Sequence, residues 1–304
     1  MKANIKLIIA KLIKYGPLGF IVAVFYKIYS LILVNYYSDL KLVYGLNQTE
    51  KRDKKVIVSL TSYPERFSTL HLCIKSLLRQ SYKPDKIILY LGDDSAPESV
   101  SDNILSLLPF GLEIEHCTGN LKPHKKYFYS MQKYPDDIII TVDDDTLYKK
   151  NLVLSLVQSY HRHPNAVSAR HVIKMLKDRN GKLVSSKEFL KKNRKEKFPS
   201  LQLIAIGVGG ILYPPHCLPR DTFDVDAIIN LCLNADDIWL KFMEIKKKVP
   251  VVWVPSYGLS VREITIPNTQ GTALYLTNTG FVCKNDDYIA CLSKYFSINL
   301  ADYC

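Results

Sequence analysis

From Lys55 onward, short apolar runs alternate with stretches of amphipathic, helix-length sequence. KKVIVSLTS, KIILYL, LEIEHC and DDIIITVDDD have the length and β-branched content of strands, and the first two and last have the continuous apolarity of buried ones. FSTLHLCIKSLLRQ, ESVSDNILSLL and HKKYFYSMQKY separate them with helical spacing. Strands joined by helices of this size indicate parallel pairing through right-handed crossovers. The expected fold is therefore α/β, a mostly parallel central sheet with helices on both faces. Ligands of such sheets bind at the carboxyl ends of the strands. Thr61, Asp93, Asp94 and Asp143–Asp145 all fall at such ends.

The second half of the chain continues the pattern with more interruptions. NLVLSLVQSYHRH reads as a helix, NAVSARHVI as a strand, NADDIWLKFMEIKKK as a helix and VPVVWVPS as a last strong strand. In the second of these helices the acids stand in the first turn and the lysines in the last, matching the helix dipole. The stretch Lys174–Lys197, with Asn180-Gly181 inside it, reads as a hairpin or loop excursion.

Charge narrows the class of partner. The 304 residues carry 41 Lys+Arg against 29 Asp+Glu, a formal charge of +12. The excess sits in two places: Met1–Lys55 has ten basic residues against three acids, and Lys174–Lys197 again ten against three. The remainder is nearly balanced, so a basic nucleic-acid-binding domain is a poor description and nucleic acid is not an expected partner. Near the N-terminus LGFIVAVFYKIYSLILV, residues 18–34, is interrupted by Lys27 and followed by Tyr36 and Tyr37. Lysines among large apolar residues beside tyrosines fit a helix lying in an anionic membrane interface. The alternatives are a true span or a helix packed on the protein's own body. The seven cysteines include no CxxC pair and several lie in apolar runs, as reduced, buried thiols of a cytosolic protein would.

Two acidic groups carry the chemistry. Asp143, Asp144 and Asp145 follow the apolar IIITV run, where a turn or helix cap requires one acid at most. A hard divalent cation, Mg²⁺ or Mn²⁺, resolves the repulsion of adjacent carboxylates and binds diphosphate as well. Asp236 and Asp237 open a helix, where the dipole alone accounts for acids. The functional alternative is a general base that deprotonates an attacking hydroxyl. Gly207-Val208-Gly209-Gly210 offers either a bulged strand or a backbone that a substrate can approach closely. Lys125 and Lys126 open a helix on the ligand-binding edge and are candidate diphosphate contacts.

In this order, strand-TSYPER, strand-GDD, a helix with KK, strand-DDD, a Gly-Gly segment and ADD-IWLK resemble the GT-A glycosyltransferases. The resemblance covers about Lys55–Pro255 and is closest to the family-2-like bacterial enzymes that build cell-surface polysaccharides. It implies the Rossmann-like GT-A fold over residues 51–304, preceded by a membrane-associating segment over 1–50. It implies metal-dependent, inverting transfer from a nucleotide-sugar donor to a glycan or lipid-linked acceptor at the cytoplasmic membrane face. By resemblance, Asp143 and Asp145 take the DxD roles toward ribose and metal, with Asp144 beside them in the donor site. Thr61, Tyr63, Arg66 and Asp93 then lie near the nucleotide and Lys125 near the diphosphate. Gly209 and Gly210 would line donor sugar and acceptor, and Asp237, paired with Asp236, would be the base. Two departures are visible. The metal-binding histidine that many such enzymes carry near the C-terminus is absent, leaving Asn278, Asn285, Asp286 or water in its place. The second strand ends GDDSAPE rather than in the DDGS-type turn of these enzymes. A nucleotidyltransferase acting on a sugar phosphate, or a non-enzymatic membrane-surface binding protein, are the alternatives. The first of these usually carries a Gly-rich basic loop where this chain has TSYPER.

Overall fold

The first strand, β1 (Val56–Thr61), is covered on both faces, which is why its apolar run is unbroken. Val56, Val58 and Leu60 point into one core and Ile57 into another, while Ser59 takes a hydrogen-bonded place opposite the fourth helix. The computed structural model describes residues 21–191, 198–256, 263–267, 269 and 284–304.

Strands β2 (Lys86–Leu91) and β3 (Leu112–His116) add to one side of β1 in parallel register, and β4 (Ile138–Thr141) to the other. After the short β5 (Thr146–Leu147) come β6 (Val167–Ala169), β7 (Val172–Lys174), β8 (Leu203–Ala205), β9 (Ile211–Tyr213), β10 (Val251–Trp253) and β11 (Ile264–Thr265). The main sheet runs β10-β6-β9-β4-β1-β2-β3. Only β9 is antiparallel to its neighbours β4 and β6. The sheet is thus mostly parallel, as its alternating pattern requires, with one reversed strand next to its centre.

Helix α1 (Ile21–Ser38) comes first in the chain, and α2 (Phe67–Leu78), α3 (Asp102–Leu105) and α5 (Leu152–Arg162) share its face of the sheet. On the other face lie α4 (Lys125–Lys133), α7 (Val225–Leu231), α8 (Asp236–Lys247) and α9 (Lys284–Phe296). Trp239 of α8 fills the centre of that layer, its indole N–H donating to the Thr222 carbonyl at 3.1 Å.

Two local expectations are corrected. ESVSDNILSLL forms only one α turn between 3-10 turns at Pro97–Ser99 and Leu108–Phe110, because the backbone is extended at Val100 and Ser101 and Pro109 cannot donate an N–H to continue the helix. NAVSARHVI splits into β6 and β7 in different sheets, with Arg170 at the break. The Lys174–Lys197 stretch agrees with its reading as a hairpin or loop excursion: it folds back through an antiparallel bridge between Lys177 and Leu183, with Gly181 at φ +78°, and holds α6 (Ser186–Lys191), while β8 beyond it pairs antiparallel with β7. Residues 192–197 of the stretch lie outside the described residues.

Helix α1 has one face on the protein and one off it. Tyr29, Leu33, Val34 and Tyr37 pack on the core. Phe25, Ile28 and Ile32 are exposed on the other side, Phe25 to 68%. The Lys75 ammonium donates to the carbonyls of Tyr37 and Ser38 at 2.9 and 2.8 Å, serving the unpaired acceptors at the negative end of the helix. Thr265 of β11 donates its N–H to the Tyr26 hydroxyl at 3.2 Å.

Candidate active site at the carboxyl edge of the sheet

β4 ends at Thr141, and the acidic turn follows at once. Its backbone is fixed on three sides. The Asp143 N–H donates to the Tyr148 hydroxyl at 2.8 Å, and the Cys73 thiol reaches the Asp143 carbonyl at 3.3 Å. The Ile266 N–H donates to the Asp145 carbonyl at 2.8 Å, continuing the antiparallel pairing of β11 with β5. The turn is therefore rigid before anything binds to it.

Each carboxylate of the turn faces a cation. Lys126 Nζ lies 2.7 Å from Asp143 Oδ1. Arg66 Nη1 lies 2.8 Å from Asp144 and 2.9 Å from Asp145. Ser62 Oγ donates to the second Asp144 oxygen at 2.5 Å, and Arg66 Nε donates to the Tyr63 hydroxyl at 2.8 Å. Burial pushes the Asp144 carboxyl up to about 6 despite Arg66, and raises Asp143 against the pull of Lys126.

The second acidic pair meets the first through the same lysine. Lys126 Nζ stands 2.9 Å from Asp236 Oδ2, as an ion pair rather than an aligned hydrogen bond. Burial works to raise Asp236, but Lys126 chiefly opposes it, and the carboxyl is held below its ordinary value. Asp237 is driven well above the carboxylate range by burial and by the Asp236 charge beside it. It accepts the Gly207 N–H at 3.2 Å. Such a pair, one member kept ionised and its neighbour poised to hold a proton, suits general acid–base work. Beneath it His124, lowered to about 4 by burial, stays neutral. Its Nε2 donates to the Cys232 carbonyl at 2.9 Å, so its Nδ1 accepts from the Tyr127 hydroxyl at 2.8 Å.

The glycine that faces the carboxylates is Gly207. A β-carbon there would stand 2.8 Å from Asp143 Oδ1 and 3.0 Å from Lys126 Nζ. Gly209 and Gly210 are expected to line a substrate; a side chain at either position would point into the fold. A β-carbon on Gly209 would collide with the His171 backbone nitrogen at 2.5 Å, and one on Gly210, at φ +79°, with Leu152. Gly207–Gly209 form a 3-10 turn between β8 and β9, and the conformation of Gly210 lets the chain reverse into β9.

A third cluster lies along the edge. Asp93 Oδ2 accepts the Gly119 N–H at 2.7 Å, and Asp94 accepts from Asn120 at 2.5 Å and pairs with Lys125 at 3.6 Å. The adjacent lysines Lys125 and Lys126 thus diverge, the first to Asp94 and the second to Asp143 and Asp236. Thr61 spends its hydroxyl on the Tyr90 carbonyl at 2.8 Å, tying β1 to β2. Asp286 accepts from Ser185 and the Ser186 N–H, so its carboxylate is committed to the start of α6. Asn285 keeps a buried side-chain oxygen without a partner; Asn278 lies outside the described residues.

Ser62, Lys126 as the bridge between the acidic groups, and Gly207 were not predictable as a set. One signal was present: two lysines in the first turn of α4 oppose the helix dipole, and their side chains are only 2% and 5% exposed. A local rule broken at such cost marks a place where something else is gained. Among the described residues no three carboxylate, imidazole or thiol groups converge on one point, so there is no all-protein metal cage. The donor set still fits Mg²⁺ or Mn²⁺, which take one or two carboxylates and complete their shell with phosphate oxygens and water. Asp143 offers an open oxygen on a side chain 32% exposed.

Comparison with known proteins now bears on this geometry. Among solved structures, the mannosyltransferase PcManGT from Pyrobaculum calidifontis, in complex with GDP-Man and Mn²⁺, superposes with a TM-score of 0.50 at 10% identity. The match covers 90% of this chain and 72% of that one. The UTP-bound UGPase of Acinetobacter baumannii matches at a TM-score of 0.39 and 11% identity, over 66% of this chain and 86% of its own. A CMP:2-keto-3-deoxy-manno-octonic acid synthetase complexed with CTP gives 0.41 and 10%, over 75% and 99%. No curated protein matches the chain. The model of glycosyl transferase family 2 matches residues 57–211, a span that holds β1, the acidic turn and the glycine turn. The chain belongs to glycosyl transferase family 2, with the GT-A fold, and is a glycosyltransferase.

Proposed function

We propose that this enzyme transfers a sugar from a nucleotide-sugar donor, with inversion and with Mn²⁺ or Mg²⁺, to a glycan or lipid-linked acceptor of a cell-surface polysaccharide. The observation that supports it best is the meeting of two acidic groups at one lysine: Asp143 on the donor side and Asp236 on the acceptor side both contact Lys126. In this reading Asp143 and Asp145 hold the metal. When bound, it offsets charge on the departing nucleoside diphosphate. Arg66 and Lys126 supply fixed positive charge to the same group. Asp237 takes the proton from the acceptor hydroxyl as its oxygen bonds to the anomeric carbon. The bond from that carbon to the diphosphate oxygen breaks with its electron pair on the nucleotide. Asp236, kept ionised by Lys126, maintains the basicity of Asp237. Asp93, Lys125 and Tyr63 border the nucleotide end. The fold relative from Pyrobaculum calidifontis, whose structure holds GDP-Man and Mn²⁺, is in keeping with such a donor.

Acceptor-free hydrolysis followed by proton NMR tests the stereochemistry. The first-formed sugar should have the anomeric configuration opposite to that of the donor; retention would overturn the base assignment.

We further infer that the enzyme works against an anionic membrane surface on the cytoplasmic side. Among the described residues α1 is the helix long and apolar enough to cross a bilayer, with 18 residues at mean hydropathy 1.3 and only 11% of them buried. Its inner face packs on the enzyme, which favours lying in the interface over spanning. Phe25→Asp with Ile32→Asp should lower partition into vesicles of phosphatidylserine and phosphatidylcholine by roughly 10²–10⁴-fold, since each buried apolar side chain contributes about 1.5–3 kcal/mol. Unchanged co-flotation would remove α1 from the contact.

A further inference from the structure

We propose that α1 does not meet the membrane alone: the loop after it, at Val43 and Tyr44, and the turns that carry Leu105 and Leu108 form a second apolar contact on the same anionic bilayer. The inference rests on the membrane reading above and adds to it the surface that fixes how the enzyme lies. Val43 is 73% exposed, more than Phe25 of α1, and Tyr44, Leu105 and Leu108 are 39%, 40% and 43% exposed. Backbone contacts bring these segments together. The Gly45 N–H donates to the Phe110 carbonyl at 2.9 Å, and a β-carbon on Gly111 would meet Leu46 at 2.5 Å. The chain leaving α1 is therefore pressed against the turn that carries Leu108. In that turn and in α3, Ile104 and Leu107 are buried in the core on which α1 also packs, so Leu105 and Leu108 are outer residues on the same side of the sheet. A contiguous exposed apolar patch of this kind marks a contact surface.

Charge says what covers it. Residues 21–46 and 75–84, which build this side, carry Lys27, Lys41, Lys75, Arg79 and Lys83 against Asp39 alone. Three of the cations are held at the patch by carbonyls or a ring: Lys75 on Tyr37 and Ser38, Lys83 on Tyr44 at 2.6 Å, and Arg79 over the Tyr36 ring at 5.2 Å. Cations fixed beside tyrosines and aliphatic side chains match the headgroup level of an anionic bilayer. A second copy of the chain would instead set these cations against their own counterparts. One helix lying in an interface leaves the body free to roll about the helix axis; a second contact on separate elements removes that freedom. The combined face runs from the carboxyl edge of the sheet, where Tyr26 accepts from Thr265, to the amino edge, where Leu108 precedes β3. Ile266, next to Thr265, holds the Asp145 carbonyl, so the acidic turn stands at one end of the membrane face. That placement favours the lipid-linked of the two acceptor classes.

The test puts a tryptophan in each contact of the full chain and reads its quenching by brominated phosphatidylcholine in phosphatidylserine vesicles. The chain's own two tryptophans stand elsewhere, Trp239 sealed in the other helical layer and Trp253 on β10. Phe25→Trp and Val43→Trp should both lose emission to the brominated lipid relative to ordinary lipid. In the native background, Val43→Asp with Leu108→Asp should lower partition into the same vesicles by at least about ten-fold, the effect of withdrawing two partly exposed apolar side chains from lipid. Quenching of Phe25→Trp without quenching of Val43→Trp overturns the second contact and leaves the membrane role of α1 standing. So does a folded Val43→Asp with Leu108→Asp variant that co-floats like the wild type. Quenching at neither position sinks the membrane reading together with the inference. Val43→Trp emission that shifts with protein concentration and not with lipid would assign the patch to a second copy, and would overturn the proposal as well.

Discussion

Asp237→Asn lowers turnover by roughly 10²–10⁴-fold while leaving donor affinity within a few-fold of the wild type, the range expected when a positioned general base is lost. The amide keeps the size of the side chain and can still accept the Gly207 N–H, so the glycine turn stays in place. What it cannot do is take a proton. The same assignment fixes the sign of the wild-type pH dependence. Burial and the neighbouring Asp236 charge raise Asp237 well above its ordinary value, so the protonated, inactive form persists further toward neutrality. Turnover should climb with pH through that raised value, and the climb should disappear in the residual activity of Asp237→Asn. Steady-state kinetics at saturating donor measures both. A variant that loses donor affinity but keeps turnover would move Asp237 out of the proton-transfer role.

Arg170→Met should destabilise the fold by about 3–5 kcal/mol, the cost of leaving the partner of a buried ion pair unmatched. Arg170 and Glu263 pair at 2.5 Å, with side-chain exposures of 1% and 3%. Arg170 also donates to Asn151 at 2.7 Å and Ser155 at 3.1 Å, and Glu263 accepts the Lys149 N–H at 2.8 Å. Burial raises Glu263, but Arg170 opposes the rise. The pair lies where β6 ends and where the chain enters β11, just before Ile266, whose N–H donates to the Asp145 carbonyl. Its loss should therefore loosen the acidic turn as well as the fold. Urea denaturation reports the first effect. Replacing both partners, Arg170→Met with Glu263→Met, should recover most of the loss, because no lone charge remains. A single variant within about 1 kcal/mol of the wild type would mean that the pair is not the tether.

How much of this could be read from the amino acids differs by element. β1, β2 and β4 were legible because strands covered on both faces need unbroken apolar runs, and IIIT or VIVSL leaves no other use for itself. The acidic turn was legible for the opposite reason, since three adjacent carboxylates are too costly to be incidental. The reversed strand β9 was not, because three residues, ILY, fit either direction and only their place between β4 and β6 decides it. The β5–β11 pair was hidden by its two-residue length and a separation of more than a hundred residues. Within the site, Asp236 and Asp237 stood out as charges at a helix start, but nothing in ADDIW says that Lys126 lies between them and Asp143. The GVGG segment was recognised as a backbone feature, yet sequence cannot tell which glycine faces the carboxylates. Packing does: Gly209 and Gly210 are pressed against His171 and Leu152, leaving Gly207 toward the carboxylates.

The central claim is that the carboxylates at the end of β4 form the donor site of a sugar transferase. Its most direct measurement is slow, acceptor-free hydrolysis of a panel of UDP-, GDP- and CMP-sugars with and without Mn²⁺, alongside thermal shift, for the wild type and Asp143→Ala. One nucleotide class should stabilise the wild type and be hydrolysed faster with Mn²⁺, and Asp143→Ala should lose the metal-dependent part while remaining folded. A wild type indifferent to every sugar nucleotide, with or without metal, would contradict the account.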